Sequence, residues 1–252
     1  MAKIYVLHHH PVENLGTIAD ALEGAALAWQ YVRIHEGQPV PADMKGAGGL
    51  VVMGGPMAVY QADKYPWLRD EMRLIDQAVK DEIPVLGVCL GAQIVAAALG
   101  AKVAKNPAGK EIGWHRVTVS DAAREDRLFR GVAGTITPFH WHGDIFELPA
   151  DAVSLASSEK TPCQAFRYGS STYGLQFHIE VTQESVAAMA SAWPRELERE
   201  KISAAEMIGA TAGHLPQLEL LSDAIFGRWA GPIQKTLRYA PSNPNPTGAR
   251  RS

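Results

Sequence analysis

Residues 83–99 read Ile-Pro-Val-Leu-Gly-Val-Cys-Leu-Gly-Ala-Gln-Ile-Val-Ala-Ala-Ala-Leu, and this stretch decides the fold. Ile83–Cys89 is a short, almost wholly apolar run, as expected of a strand buried on both faces of a parallel sheet. Gly91–Leu99 follows as an alanine-rich helix that stops at Gly100. A strand running directly into a helix is half of a β-α-β unit, and the same alternation recurs upstream. Lys3–His8 reads as a first buried strand. Asn14–Trp29 reads as a helix, with Leu15, Ile18, Ala19, Leu22, Ala25, Ala26 and Trp29 at helical spacing. Gln30–His35 and Gly49–Met53 read as the next two strands. Pro66–Lys80 carries Trp67, Leu68, Met72, Ile75 and Val79 on one helical stripe. Strands alternating with helices predict an α/β fold with a doubly wound, mostly parallel sheet flanked by helices.

From Lys102 to Phe177 the texture changes. Shorter strands are expected at Arg116–Ser120, Thr135–Phe139, Val153–Ser157, Gln164–Tyr168 and Tyr173–Phe177, as antiparallel additions and a return to the central sheet. After Thr182 the chain reads as helical. Glu184–Trp193 is interrupted by Pro194, which starts a new helix or kinks the old one. Leu218, Leu221, Ala224, Ile225 and Trp229 form a final stripe. The organisation expected is a single domain over 1–190, a helical C-terminal extension over 191–240 packed on it, and a disordered tail over 241–252.

The 252 residues carry 24 Lys+Arg against 27 Asp+Glu, a formal charge of −3, which supplies no electrostatic footprint for nucleic acid. With 46% hydrophobic and 20% charged residues the chain is not a disordered one. No apolar run approaches the ~20 residues of a membrane span, and the N-terminus lacks a signal peptide's apolar region, so a cytoplasmic location is expected. Two cysteines, Cys89 and Cys163, make no disulfide framework.

Within the deciding stretch, Cys89 sits between strand and helix with glycines two residues before and two after. That is the arrangement of a nucleophile elbow, in which glycines permit a sharp turn and close packing. The helix N-terminus favours a thiolate there, although a strand-end Cys is as often inert. Gly174-Leu175-Gln176-Phe177-His178-Ile179-Glu180 ends a strand with His178 and Glu180 two positions apart, so both side chains lean to one side. A carboxylate so placed can hold the imidazole in one tautomer and stabilise its cation. Alone, a strand-end His beside a solvated Glu is commonplace; together with the elbow it completes a Cys–His–Glu triad. Met53-Gly54-Gly55-Pro56 follows another strand, and acyl transfer needs backbone N–H donors around its oxyanion. Gly55 and Leu90 N–H groups are the candidates.

In order and approximate spacing, these three motifs resemble the class I (triad) glutamine amidotransferase family. His142-Gly143-Asp144, Glu147-Leu148-Pro149 and Ala156-Ser157-Ser158 are similar to the amidotransferase domain of GMP synthase. Met57-Ala58-Val59-Tyr60 resembles its free-standing relatives. The resemblance covers about residues 3–190 and implies a flavodoxin-like fold. It implies Cys89 as nucleophile, His178 as general base and acid, Glu180 as orienting carboxylate, and Gly55 and Leu90 as the oxyanion hole. It further implies that Gly54, Gln93, Trp141 and His142 line the glutamine pocket, with Glu111-Ile112-Gly113-Trp114 resembling a loop that helps cover it. Two departures stand out. Ile179 occupies the place of the family's usual Pro, and no nucleotide motif follows residue 190.

The remaining features take simpler readings. His8-His9-His10 lacks metal-ligand spacing, and at His140 and His142, which flank Trp141 near the expected pocket mouth, metal is again the weaker reading. Cys163 is structural or at the surface, and Trp193 and Trp229 are core. The expected activity is hydrolysis of the glutamine side-chain amide or a γ-glutamyl bond through a thioester, on a small-molecule substrate, with no metal or organic cofactor. The alternatives are a glutaminase subunit delivering ammonia to a separate synthetase, and a non-catalytic binding or regulatory protein.

Overall fold

The computed structural model describes residues 3–239. Its first half consists of β1 (Lys3–His8), α1 (Thr17–Gly24), β2 (Trp29–Arg33), β3 (Ala47–Val52), α2 (Trp67–Lys80), β4 (Val85–Val88) and α3 (Leu90–Ala98). Then come β5 (Val103–Lys105), β6 (Glu111–Trp114), β7 (Val117–Val119), α4 (Asp121–Arg124), β8 (Thr135–Ile136), β9 (Phe139–His142), β10 (Asp144–Phe146), β11 (Val153–Ser157), β12 (Ala165–Tyr168) and β13 (Thr172–Leu175). Three helices follow: α5 (Gln183–Ala192), α6 (Pro194–Glu200) and α7 (Ala204–Tyr239).

The main sheet runs β2-β1-β3-β4-β13-β12-β11-β7-β8. Pairings from β2 through β13 are parallel, and those from β13 outward to β8 are antiparallel. The doubly wound, mostly parallel architecture read from the sequence is therefore present. Alternate residues of a strand face opposite sides, and both sides here are buried. Ile4 and Val6 of β1 join the core beneath α1 and α7, whereas Leu7 joins the core beneath α2 and α3. In β3, Val51 faces the first core, and Leu50 and Val52 the second. The C-terminal ends of β1, β3, β4 and β13 lie side by side, and such ends form the ligand crevice of open α/β sheets.

Several expected boundaries shift for local reasons. The helix expected over Asn14–Trp29 is confined to α1. Asn14 Oδ1 accepts the Gly16 N–H at 2.9 Å, a turn that competes with helix before residue 17. At the other end Ala26 takes φ 52°, and Trp29 already pairs with Ile4. The strand expected to end at Phe177 ends at Leu175, because the His178 backbone pairs with Phe139. The run Thr135–Phe139 divides into β8 and the start of β9. The short strands β5, β6 and β10 were not expected, and β9 only at its first residue; they form two separate two-stranded pairs, β10 with β5 and β6 with β9.

Thr182 and Ser185 cap α5 reciprocally, and Pro194 starts α6 as a new helix rather than kinking the old one. The 36-residue α7 packs on α1, α5 and β3, and a side chain at Gly49 would press on Ile233 and Trp229. Trp229 is 1% exposed, so Trp229→Ala should destabilise the protein by about 3–5 kcal/mol, read as a lower urea midpoint at unchanged slope. Among the described residues, no helix is long and apolar enough to cross a membrane. The tail expected to be disordered, 241–252, lies outside the described residues.

Candidate active site

The elbow is built from backbone proximity. A Cβ on Gly87 would lie 2.6 Å from the Gly91 carbonyl oxygen, and one on Gly91 would lie 1.9 Å from that of Val52. Neither position admits a side chain, which is why both are glycine. Cys89, held between them at φ 52° and ψ −109°, caps α3 in a backbone region that L-residues rarely occupy. Its N–H donates to Leu175 at 2.8 Å, and its thiol to the Trp141 carbonyl at 3.6 Å.

His178 is fixed by two backbone bonds to Phe139, of 2.8 and 3.1 Å. Its Nδ1 lies 2.6 Å from Glu180 Oε1, and Glu180 Oε2 accepts the Ile179 N–H at 3.0 Å. The departure at Ile179 thus supplies a donor that proline lacks. His178 and Glu180 are both buried, and among the described residues His178 Nε2 has no hydrogen-bond partner. Burial alone would lower the His178 pKa. The Glu180 charge, its bond to Nδ1 and the nearby Cys89 thiol outweigh burial and hold it well above the usual imidazole value. The thiol behaves differently from the expectation at a helix N-terminus. Burial pushes Cys89 above its ordinary value, against the opposing pull of His178.

A cavity of about 750 Å³ opens over the elbow, and Cys89, Gly55, Leu90, Gln93, Trp141 and His142 all line it. Neither the Gly55 nor the Leu90 N–H donates to a carbonyl among the described residues. Gln93 is held by bonds from its Nε2 to the Asp144 carbonyl at 3.1 Å and to Gln176 at 3.2 Å. Gly54 is not at the wall. It packs against Glu13, whose carboxylate would lie 2.3 Å from a Cβ there. The Glu111–Trp114 segment is β6 rather than a cover; its neighbours Gly109 and Lys110 line the cavity instead.

Three groups at the site escaped the sequence reading. Glu13, just beyond β1, lines the cavity, and burial raises its pKa. The α6 residue Glu196 accepts Trp141 Nε1–H at 3.0 Å and pairs with Lys110. Trp193, expected in the core, is half-buried, lines the cavity and packs on Trp141 with ring centres 5.4 Å apart. Position at the C-terminal end of β1 was the available signal for Glu13; nothing local marked the others.

His8, His9 and His10 diverge: His8 packs on Tyr31 and His35, His9 binds Glu71, and His10 meets Trp193. Burial lowers His8 to about 4. Among the described residues, Glu111, His140 and His142 form the one group that could hold a metal, with ligand atoms within 4.8 Å of one another. Glu111 is already engaged by Ser158, Thr161 and Gln164 at 2.6–2.9 Å. His140 lies wholly buried rather than at the mouth. Cys163 is buried, not at the surface, and burial pushes its thiol up to about 11.

The sequence model described as glutamine amidotransferase class-I matches residues 14–189. The glutamine amidotransferase-like protein YfeJ of Salmonella typhimurium is 33% identical over 198 residues, 77% of this chain and 82% of that protein. The glutamine-hydrolysing GMP synthase of Porphyromonas gingivalis is 31% identical over 153 residues, 60% of this chain and 28% of the synthase. The chain therefore spans less than a third of that relative. A solved glutamine amidotransferase from Thermotoga maritima superposes with a TM-score of 0.83 at 32% identity, covering 91% of this chain and 98% of that one. One from Methylobacillus flagellatus gives 0.84 at 30%, covering 91% and 94%.

Proposed function

Because the chain belongs to the class-I glutamine amidotransferase family, we propose that it hydrolyses the side-chain amide of glutamine or a γ-glutamyl bond through a thioester on Cys89. The observation that carries this reading is the Cys89 elbow on the cavity wall, backed by the 2.6 Å His178–Glu180 pair. Cys89 gives its proton to His178 Nε2 as its sulfur attacks the substrate carbonyl. Gly55 and Leu90 N–H groups hold the oxyanion. As the tetrahedral species collapses, His178 returns the proton to the leaving ammonia or amine. Water then attacks the thioester, His178 taking one of its protons and passing it to the departing Cys89 sulfur, and the γ-glutamyl group leaves as a carboxylic acid that ionises by releasing the other proton to solvent.

A cavity of about 750 Å³ falls within the ~300–1,000 Å³ of sites for drug-sized ligands, more than a free amino acid needs. This supports a γ-glutamyl amide or peptide as substrate. Trp193 and Glu196 belong to the chain's own wall of that cavity, which supports activity without a partner. The purified chain should hydrolyse members of a panel of γ-glutamyl amides at least as well as glutamine. An inert chain that becomes a glutaminase when a synthetase is added would replace this reading with the subunit one.

A further inference from the structure

His9 and Glu71 lie outside the triad, one just beyond β1 and the other on α2, and both are 0% exposed. Among the described residues, every hydrogen-bond partner of the His9 ring is an oxygen. Nδ1 lies 3.0 Å from the Met53 carbonyl and 3.1 Å from that of Gly54. Nε2 lies 2.9 and 3.1 Å from the two Glu71 oxygens. A neutral imidazole has one N–H and could satisfy one side alone; the imidazolium donates to both. Glu71 balances its charge, and Trp67 stacks on the ring at 5.3 Å.

The bond held at Gly54 has a geometric consequence. In a planar trans peptide the carbonyl and the following N–H point in opposite directions, and the Gly54–Gly55 peptide is trans. A donor that grips the Gly54 oxygen therefore turns the Gly55 N–H away from His9. The Gly55 backbone lines the cavity beside Cys89. Two consecutive glycines offer little resistance to peptide rotation. Rotation here would take from the buried imidazolium N–H one of its two acceptors and leave it the Met53 carbonyl alone, and hydrogen bonds to charged groups are the strong ones.

We propose that the His9–Glu71 pair is the positioning device of the oxyanion hole: Glu71 orients the ring, and the ring locks the Gly54–Gly55 peptide with its N–H presented to the substrate carbonyl. This rests on the reading of Gly55 N–H as an oxyanion donor. It extends that reading to two residues that touch neither substrate nor nucleophile.

The test compares His9→Leu and His9→Asn, both with Glu71→Gln so that no unpaired carboxylate stays buried. Asn places an amide N–H where Nδ1 stood, whereas Leu places none. Turnover of γ-glutamyl-p-nitroanilide is read beside the rate of Cys89 alkylation by iodoacetamide, a displacement that forms no oxyanion. The Leu variant should lose about 10²–10³-fold in kcat, the scale of one oxyanion donor. Its KM and alkylation rate should stay near wild type, and the Asn variant should recover at least ~10-fold of the lost kcat. Unchanged kcat in the Leu variant, alkylation falling in parallel with kcat, or Asn no better than Leu would each overturn the proposal. If the Leu variant is unfolded by its melting curve, His9→Gln, whose amide reaches the Nε2 place instead, replaces it and must be slower than Asn by the same margin. Wild-type protein inert toward the anilide, glutamine and the rest of the γ-glutamyl panel overturns the hydrolase reading and this proposal together; an active wild type indifferent to His9 overturns this proposal alone.

Discussion

Cys89→Ala should abolish turnover of every γ-glutamyl substrate, by about 10⁴–10⁶-fold, the range seen when a nucleophile is removed from a triad that works as a unit. The fold should survive. The Cys89 thiol makes one weak hydrogen bond, at 3.6 Å to Trp141, and the glycines that build the elbow are untouched. Circular dichroism should therefore be unchanged while activity vanishes. A glutamine-like chloroketone should label Cys89, which lines the cavity, in the wild type and spare Cys163, which is buried away from the cavity wall. Labelling confined to Cys163 would remove the nucleophile assignment.

Glu180→Gln should lower the plateau of kcat/KM by about 10³–10⁴-fold, the size of effect known for a triad carboxylate turned into its amide. It should also move the pH profile in a definite direction. In the proposed mechanism His178 acts in its neutral form, so activity should rise with pH through the His178 pKa. In the wild type Glu180 holds that pKa well above the ordinary imidazole value, and the acid limb should lie correspondingly high. Without the carboxylate, burial is the largest remaining influence, and it lowers the pKa. The acid limb should move to lower pH even as the plateau falls. In the His178→Ala background the same substitution should cost little more, because Glu180 acts through the ring. A limb that stays in place, or fully multiplicative losses, would show that Glu180 acts separately or not at all.

How much of this was legible beforehand follows from the range of the forces involved. The elbow is local. Two glycines flanking Cys89 between an apolar run and an alanine-rich helix are visible within seventeen residues, and so is the His178–Glu180 spacing. The alternation of buried strands and helices fixed the architecture because both faces of β1 and β3 are covered. The outer strands were legible only in part: β5, β6, β9 and β10 span three or four residues each, too short for a period to show. Groups brought in from far along the chain were invisible. His9 and Glu71 are 62 residues apart, and Trp141 and Glu196 are 55 apart. Apart from Trp141, which the family resemblance marked, each of these residues taken singly reads as an ordinary core or surface residue. The thiol also departed from its local expectation, because a helix terminus acts over one turn while burial is set by the whole fold.

The backbone at Cys89 bears on how such a protein can be redesigned. At φ 52° and ψ −109° the residue occupies a region suited to glycine, where other residues carry strain of about 1–3 kcal/mol. Glycine there would relax the turn, reversing its usual penalty relative to alanine. Stabilisation campaigns guided by melting temperature alone would thus favour deleting the one atom the proposed chemistry requires, and a lineage released from selection for that chemistry would be free to drift the same way. The sulfur is retained against the preference of the chain that carries it.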